Sequence, residues 1–321
     1  MAFTYNSLQA FTQNYLAPRV VDQTFKGAPY TYWLKENGRL SLRGGALLQF
    51  PIIKAGLTGE WYSGTDPATL AVADPFTKAE FNWKLLRVPF MIAEDDILKN
   101  GAENSVDITD ATEQTATLTM IDALGTGLHG TNSSNTKIVD GLQDMGGASG
   151  TAYAGLTDTD FVSPATWIMN IYGVGITSNT LTAQDMRRMV GNVTRGSNRP
   201  NLGLCNFSVY AKIWNIAQNV QRFGMERIAK LGFDHIMFES IPIMPDAYAP
   251  GSGYGTADNW LYFLNTDYIK LVIHEEMAFK AIAYQPIPQQ EVHIGKIKVM
   301  LNQVTTQRRA HSVSKVVNPS L

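Results

Sequence analysis

The sequence is poor in cysteine, in net charge and in long apolar runs, and each shortage excludes a class of protein. Cys205 is the only cysteine among 321 residues, so the chain cannot form an internal disulfide and needs no oxidising compartment to fold. Lysine and arginine number 26 against 28 aspartate and glutamate, which gives a net charge of −2. Because dedicated nucleic-acid binders carry a basic face or stripe, this balance argues against that function.

Segments that would direct the chain to a membrane are missing as well. No run reaches the roughly 18–20 consecutive apolar residues that a spanning helix needs. The first five residues, Met-Ala-Phe-Thr-Tyr, have neither the basic nor the apolar region of a cleaved secretion signal. We therefore expect a soluble protein that stays in the cytoplasm of the cell that makes it and has no membrane partner.

The sequence also lacks an assembled set of catalytic residues. The stretch Gly125–Gly130 matches the G-x-G-x-x-G pattern, but dinucleotide sites need those glycines between a strand and a helix, and here they follow a predicted helix. The five histidines show no metal-ligand spacing, and neither a G-x-S-x-G elbow nor a P-loop occurs. Cys205 lies in an apolar run, where a thiol behaves as a small hydrophobe. We predict a protein that is not an enzyme and holds no cofactor or metal.

What the sequence does contain is the composition of a globular protein, with 45% hydrophobic and 10% aromatic residues. Residues 1–43 are predicted to form an N-terminal arm of one or two short helices in an extended segment, broken at Pro18 and Pro29. The arm carries more aromatic side chains than so few elements can bury, among them Phe11, Tyr15 and Trp33. These side chains need a surface, which either the same chain or another copy can provide.

Residues 44–92 have the pattern of a long β-hairpin. Ala46–Ile53 starts an extended run, and Phe81–Phe90 alternates apolar and polar residues in its first half. Glycines and prolines between the two runs are typical of a turn-rich tip. Since a two-stranded hairpin alone is marginally stable in water, we expect it to lie on a neighbouring subunit. A lid over an active site is the alternative.

A long amphipathic helix is predicted next. From Ile108 to Leu128, apolar residues recur every three or four positions, and acidic and polar residues fill the other face. Gly125 and Gly127 are predicted to end it.

The rest of the chain predicts a smaller α+β module followed by terminal strands, so the fold class is α+β. Thr182 and Asp185 form a capping pattern for one helix, and Ser208 is predicted to cap a second over Val209–Gln221. Strands are predicted at Asn201–Phe207, Ile236–Met244, Trp260–Leu264 and in several runs between residues 278 and 317, while the form of Tyr268–Ile273 stays open.

This order of elements resembles the tailed-bacteriophage major capsid proteins with the Hong Kong 97 fold. The stretches that carry the resemblance are residues 44–96, similar to the family's E-loop; Asn104–Gly130, similar to its spine helix; Leu231-Gly-Phe233 and Ile241–Asp246; Tyr262–Tyr268; and the basic stretch Arg308–His311. Lys54 and Lys78 lie where some relatives form a covalent crosslink, but no motif identifies an asparagine or glutamate partner, so that chemistry is not carried over.

The resemblance implies a division into an N-terminal arm (1–43), an E-loop hairpin (44–92), a peripheral domain with the spine helix (93–140 and 261–321) and an axial domain (141–260). It implies self-assembly into hexamers and pentamers of an icosahedral head that encloses double-stranded DNA, held without sequence specificity. Portal protein, and separate scaffolding and decoration proteins, are the further partners expected. Assembly in the host cytoplasm and a final place in the virion follow. The residues expected to contact neighbouring subunits are Phe11, Tyr15, Trp33, Lys54, Trp61, Tyr62, Phe76 and Trp83.

Two other functions remain open. An encapsulin-like shell protein shares the fold but encloses cargo enzymes. A hydrolase with a long lid loop is the second alternative, although the sequence offers no convergent nucleophile, base or metal set for it.

Overall fold

The computed structural model describes residues 28–55, 59–67, 75–95, 108–146, 152–161, 170–172, 181–220, 235–251, 259–287 and 290–316. The helices in these ranges are α1 Pro29–Glu36, α2 Ile108–His129, α3 Leu142–Met145, α4 Ala183–Val193 and α5 Phe207–Val220. The strands are β1 Leu40–Arg43, β2 Leu48–Ile53, β3 Phe76–Phe81, β4 Lys84–Ala93, β5 Asn170–Tyr172, β6 Leu202–Cys205, β7 Ile236–Phe238, β8 Ile241–Pro245, β9 Asn259–Leu264, β10 Ile269–His274, β11 Lys280–Ile287, β12 Gln290–Thr305 and β13 Ser312–Val316. The α+β class is confirmed.

A five-stranded sheet is organised around the 16-residue strand β12. β11 and β10 pair with successive parts of one side of β12, and β4 runs antiparallel along the other side. β1 adds to β10 in parallel. Helix α2 packs on β4 and β12 and shares a core with them that includes Met120, Leu124 and Phe90.

A six-stranded sheet, in the order β5-β13-β9-β6-β8-β7, separates two hydrophobic cores. Because side chains alternate across a strand, Tyr262 and Leu264 point into the core shared with α2. Leu261 and Phe263 point into a second core, which the apolar faces of α4 and α5 close. Each core therefore uses one face of the same sheet.

The predicted capping pattern of Thr182 and Asp185 is confirmed. Thr182 accepts a hydrogen bond from the backbone N–H of Asp185 (3.2 Å), and the Asp185 carboxylate accepts one from the N–H of Thr182 (3.1 Å). This reciprocal capping box begins α4, whose apolar residues Met186, Met189, Val190 and Val193 are buried.

Helix α2 confirms the predicted long helix, but the prediction that glycines end it is wrong. The helix continues through Gly125 and Gly127 to His129. A Cβ atom on Gly125 would lie 2.6 Å from the ring of Tyr248. Gly125 is therefore required for close packing against Tyr248, and it does not stop the helix.

Two strand predictions also need correction. The run Phe81–Phe90 does not supply the second strand of the hairpin: β2 pairs with Phe76–Phe81, and Lys84–Ala93 belongs to the five-stranded sheet. The predicted single strand Ile236–Met244 is two short strands, β7 and β8. They are joined at Glu239 and Ser240, whose φ angles of 46° and 70° reverse the chain.

Helix α5 begins two residues before the predicted start. The side-chain oxygen of Asn206 accepts a hydrogen bond from the backbone N–H of Val209 (3.0 Å), so Asn206 provides the N-terminal cap that was assigned to Ser208. The segment left open at Tyr268–Ile273 is mainly strand, because β10 covers Ile269–His274.

The end of the predicted arm packs on its own chain. Pro29 does not break the segment but occupies the first turn of α1, where its missing N–H costs nothing. Tyr30 and Leu34 are fully buried and Trp33 is half-buried against the main core. Residues 1–27, including Phe11 and Tyr15, lie outside the described residues.

Candidate inter-subunit surface

The base of the hairpin is anchored in the core of its own chain. β2 and β3 form six antiparallel pairs, and the inward side chains Leu48, Phe50 and Ile52 of β2 are buried. The ring of Phe81 packs edge-on against Phe50 (6.2 Å between ring centroids) and against Tyr153 (5.5 Å). The base of the hairpin therefore packs on its own chain, and the expectation that the hairpin lies on a neighbouring subunit can apply only to its outer end.

The outer end of the hairpin is different, because its large apolar side chains face solvent. Ile53 and Phe76 form the last pair of the ladder and are 67% and 61% exposed. In the segment 59–67, which we call the hairpin tip, Trp61 is 104% and Tyr62 is 77% exposed. The Asp66 carboxylate accepts a hydrogen bond from the N–H of Ser63 (2.9 Å) and shapes the turn that follows these rings.

Three other predicted contact residues are less exposed. Trp33 is half-buried against the core. Trp83 donates a hydrogen bond from its indole nitrogen to the carbonyl of Gly45 (2.7 Å) and packs edge-on against His274 (5.1 Å). Lys54 is half-exposed beside the hairpin ladder. Contact of these residues with a neighbouring subunit stays a prediction.

A second exposed apolar surface was missed by sequence reasoning. Among the described strands β4 pairs only with β12, so none of them pairs with its other edge. The side chains of β4 that point away from α2 are exposed, with Leu85 at 63% and Met91 at 70%. Their alternating pattern is visible in the sequence, but it was assigned to the hairpin, because a strand pattern does not reveal its pairing partner.

A buried carboxylate joins three parts of the chain. Asp246, at the end of β8, accepts hydrogen bonds from the backbone N–H groups of Tyr30 (3.3 Å) and Tyr248 (2.9 Å). The Nε2 atom of His129 lies 3.5 Å from the same carboxylate. The Tyr248 hydroxyl donates a hydrogen bond to Asp122 (2.7 Å), and burial together with this bond raises the pKa of Tyr248 to about 12. Asp246 thus fixes α1 and the residues after β8 against the end of α2.

Cys205 and His311 are enclosed in the interior of the fold. Cys205 is fully buried, and burial followed by the charge of Asp246 raises the pKa of its thiol. His311 is also fully buried, and burial followed by Arg308 lowers its pKa to about 3. Its Nδ1 atom accepts a hydrogen bond from the N–H of Asn265 (3.1 Å), so the imidazole is neutral. Neither residue supplies an accessible nucleophile or base.

Neither a metal site nor a membrane-spanning helix is found among the described residues. No group of three or more histidine, cysteine, aspartate and glutamate side chains is placed to hold a metal ion. None of the helices in these ranges has both the length and the apolar character that crossing a bilayer requires. The exposed hairpin tip and the outer side of β4 are the main candidates for function.

Comparison with known proteins gives a fold but no sequence family. No protein-family model and no curated protein matches the chain. The cyanophage A-1(L) capsid matches with a TM-score of 0.62 and 16% identity over 87% of this chain and 90% of the other. The capsid of the native GTA particle matches with a TM-score of 0.60 and 8% identity over 88% of this chain and 89% of the other. The SrpI encapsulin of Synechococcus elongatus PCC 7942 matches with a TM-score of 0.63 and 9% identity over 90% of this chain and 88% of the other.

At identities of 16% and below, these likenesses show the fold alone, which is that of phage capsid and encapsulin proteins. Phage capsid structures match this chain across most of its length, so the chain has the fold of tailed-phage major capsid proteins. The resemblance inferred from the sequence is confirmed at the level of the fold.

Proposed function

We propose that the chain is the major capsid protein of a tailed bacteriophage, and that its copies assemble as hexamers and pentamers into an icosahedral head around double-stranded DNA. The observation that carries this proposal is the hairpin tip. On a capsid fold, a hairpin whose base is locked into its own core presents the exposed rings of Trp61 and Tyr62 at its end. Such a surface is typical of a contact with another molecule.

The driving force of assembly in this proposal is burial of those rings. A buried aromatic side chain removes about 150–250 Å² from water, which contributes about 4–6 kcal/mol as an upper bound at 25 cal/mol per Å². Association costs about 4–15 kcal/mol in lost freedom of motion, so a single contact is weak. A closed shell, in which every subunit makes several such contacts, is cooperative.

The same proposal assigns a place in the shell to each part of the chain. The outer end of the hairpin within residues 44–92 is the E-loop that crosses an adjacent subunit, while residues 84–92 stay in the five-stranded sheet as part of β4. Residues 1–43 include the arm that reaches a neighbour, while α1 and β1 at its end stay packed on their own chain. The axial domain of residues 141–260 points to the centre of the capsomer. Residues 93–140 and 261–321 form the peripheral domain, and β9 and β13 join it to the axial domain through the six-stranded sheet. The net charge of −2 suits a wall that does not hold packaged DNA tightly, because phosphate binding grows with the number of lysine and arginine contacts. Portal, scaffolding and decoration proteins are the expected partners.

The test is the state of the purified protein and the content of its particles. The chain, produced from its native gene neighbourhood, is examined by sedimentation and negative-stain electron microscopy for shells or capsomers. DNA that survives nuclease treatment supports a phage head, whereas protein cargo without DNA supports the encapsulin-like alternative. A monodisperse 35.4 kDa monomer under all conditions would contradict both.

A further inference from the structure

On the side of the five-stranded sheet that points away from α2, the described residues of β4, β11 and β12 include cations and no carboxylate. Side chains alternate across a strand, so the exposed residues of β4 share this side with every second residue of β12 and with the start of β11. We call it the outer sheet face, made of Leu85, Arg87, Pro89 and Met91 from β4, Ile294, Lys296, Lys298 and Met300 from β12, and Lys280 and Ile282 from β11.

Three of these cations are directly opposite one another. In the ladder, Lys298 pairs with Arg87 on one side and with Lys280 on the other. Like charges in directly opposed positions destabilise a sheet. None of the three forms an ion pair with a carboxylate among the described residues. Among the described residues the row of like charges therefore stays without a neutralising carboxylate, and a partner of opposite charge would relieve its repulsion.

The neighbours of this row indicate what kind of partner fits. Leu85 and Met91 lie on the same face of β4, two and four residues from Arg87, and are largely exposed. A phosphate backbone makes no use of such apolar side chains, whereas a protein segment that combines acidic and aromatic residues matches both properties of the face.

The hairpin tip has this combination. Glu60 and Asp66 are exposed and flank the exposed rings of Trp61 and Tyr62. Aromatic rings also attract arginine and lysine cations through their π faces. Since Trp61 is fully exposed, the outer sheet face of its own subunit does not receive it.

We propose that the cation row Arg87–Lys298–Lys280 is the receiving site for the acidic hairpin tip of a second copy of this chain. Glu60 and Asp66 of the tip neutralise the row, and Trp61 and Tyr62 cover Leu85 and Met91. This inference rests on the proposed shell function, and it adds the identity of the receiving surface and the electrostatic character of the contact. Assembly should accordingly weaken as salt is raised.

A charge exchange tests the proposal in the full-length chain. The face variant R87E/K298E and the tip variant E60K/D66K should each raise the protein concentration needed for assembly by about tenfold or more, because like charges then meet across the contact. The combined variant keeps the net charge of −2 and should assemble within about threefold of the natural chain. The variant K137E/R195E, at two exposed sites elsewhere, makes the same charge change as the face variant and should assemble normally.

Engineered cysteines provide a second measurement that does not depend on complete shells. Because Cys205 is buried, a mixture of E60C and K298C chains reports only the new thiols. Oxidation should give a disulfide-linked dimer containing one chain of each kind. The matched control mixes E60C with S197C, which places the second thiol in an exposed turn of another part of the chain, and should give no dimer above background.

The outcomes separate this inference from the proposed function. Particles from the natural chain, combined with charge reversals that change nothing or with a combined variant no better than the single ones, overturn the receiving site alone. Normal assembly of R87E/K298E with reduced DNA content would assign the face to DNA and also overturns it. A natural chain that forms no oligomer and no mixed disulfide overturns both.

Discussion

Two aromatic side chains of the hairpin, Trp61 and Phe81, should respond oppositely to truncation. Trp61 is 104% exposed, so Trp61→Ala should change the free energy of unfolding of the subunit by less than about 0.5 kcal/mol. Phe81 is 1% exposed between Phe50 and Tyr153, so Phe81→Ala should lower it by about 3–5 kcal/mol.

Assembly should show the reverse order of effects. Truncation of a central aromatic anchor in an interface typically costs about 2–4 kcal/mol. Trp61→Ala should therefore weaken each contact between subunits by roughly 30- to 700-fold, since 1.4 kcal/mol corresponds to a factor of ten. Trp61→Phe keeps an aromatic ring at the same place and should lose much less.

The assays are urea unfolding of the dissociated subunit and light scattering during assembly, with particles checked by electron microscopy. The reasoning is refuted if Trp61→Ala assembles like the natural chain. It is equally refuted if Trp61→Ala lowers the urea midpoint as much as Phe81→Ala does, because the ring would then be part of the subunit's own core.

Three further predictions concern the interior. The pKa of His311 in the folded chain is about 3 against an ordinary 6.5, so the unfolded chain takes up this proton at a higher pH than the folded chain does. The free energy of unfolding should therefore fall as the pH falls from about 6.5 to 3, by up to about 1.4 kcal/mol per pH unit. In urea titrations at several pH values, His311→Gln should lose this part of the pH dependence, and an unchanged dependence would contradict the prediction. Gly295→Ala places a Cβ atom in a clash with the buried ring of Phe90, so it should lower the free energy of unfolding by about 1–3 kcal/mol and lower the melting temperature. An unchanged melting temperature would show that the ring moves freely. Cys205 is buried with a raised thiol pKa, so a thiol reagent should label it only after denaturation, and rapid labelling of the native subunit would be inconsistent with this packing.

Features encoded by neighbouring residues could be predicted from the sequence. The capping box of Thr182 and Asp185 lies within one turn, and both halves of it form as expected. The apolar period of α2 likewise predicted a long helix, because a helix buries one face at a fixed spacing. The prediction failed at Gly125 because this position is a glycine for packing against the ring of Tyr248, which lies far away in the sequence and leaves no local pattern.

Features that depend on pairing could not be predicted in the same way. Strand β4 has the alternation of a hairpin strand, and only the fold shows that it pairs with β12, about 200 residues later. The turn at Glu239 and Ser240 was missed because neither residue is the glycine or asparagine that usually marks a positive φ. The row Arg87–Lys298–Lys280 comes from three separate strands, so it exists only once the register is known.

The six-stranded sheet has a consequence for how the subunit bears load. Because Leu261 and Phe263 belong to one core while Tyr262 and Leu264 belong to the other, β9 is a shared wall, and no plane of weak contacts separates the two halves at this strand. A force that pulls β9 out of the sheet would therefore disrupt both cores together. The subunit should therefore yield as one cooperative block, and in a shell the compliant elements would be the contacts between subunits, where deformation can be reversed without unfolding.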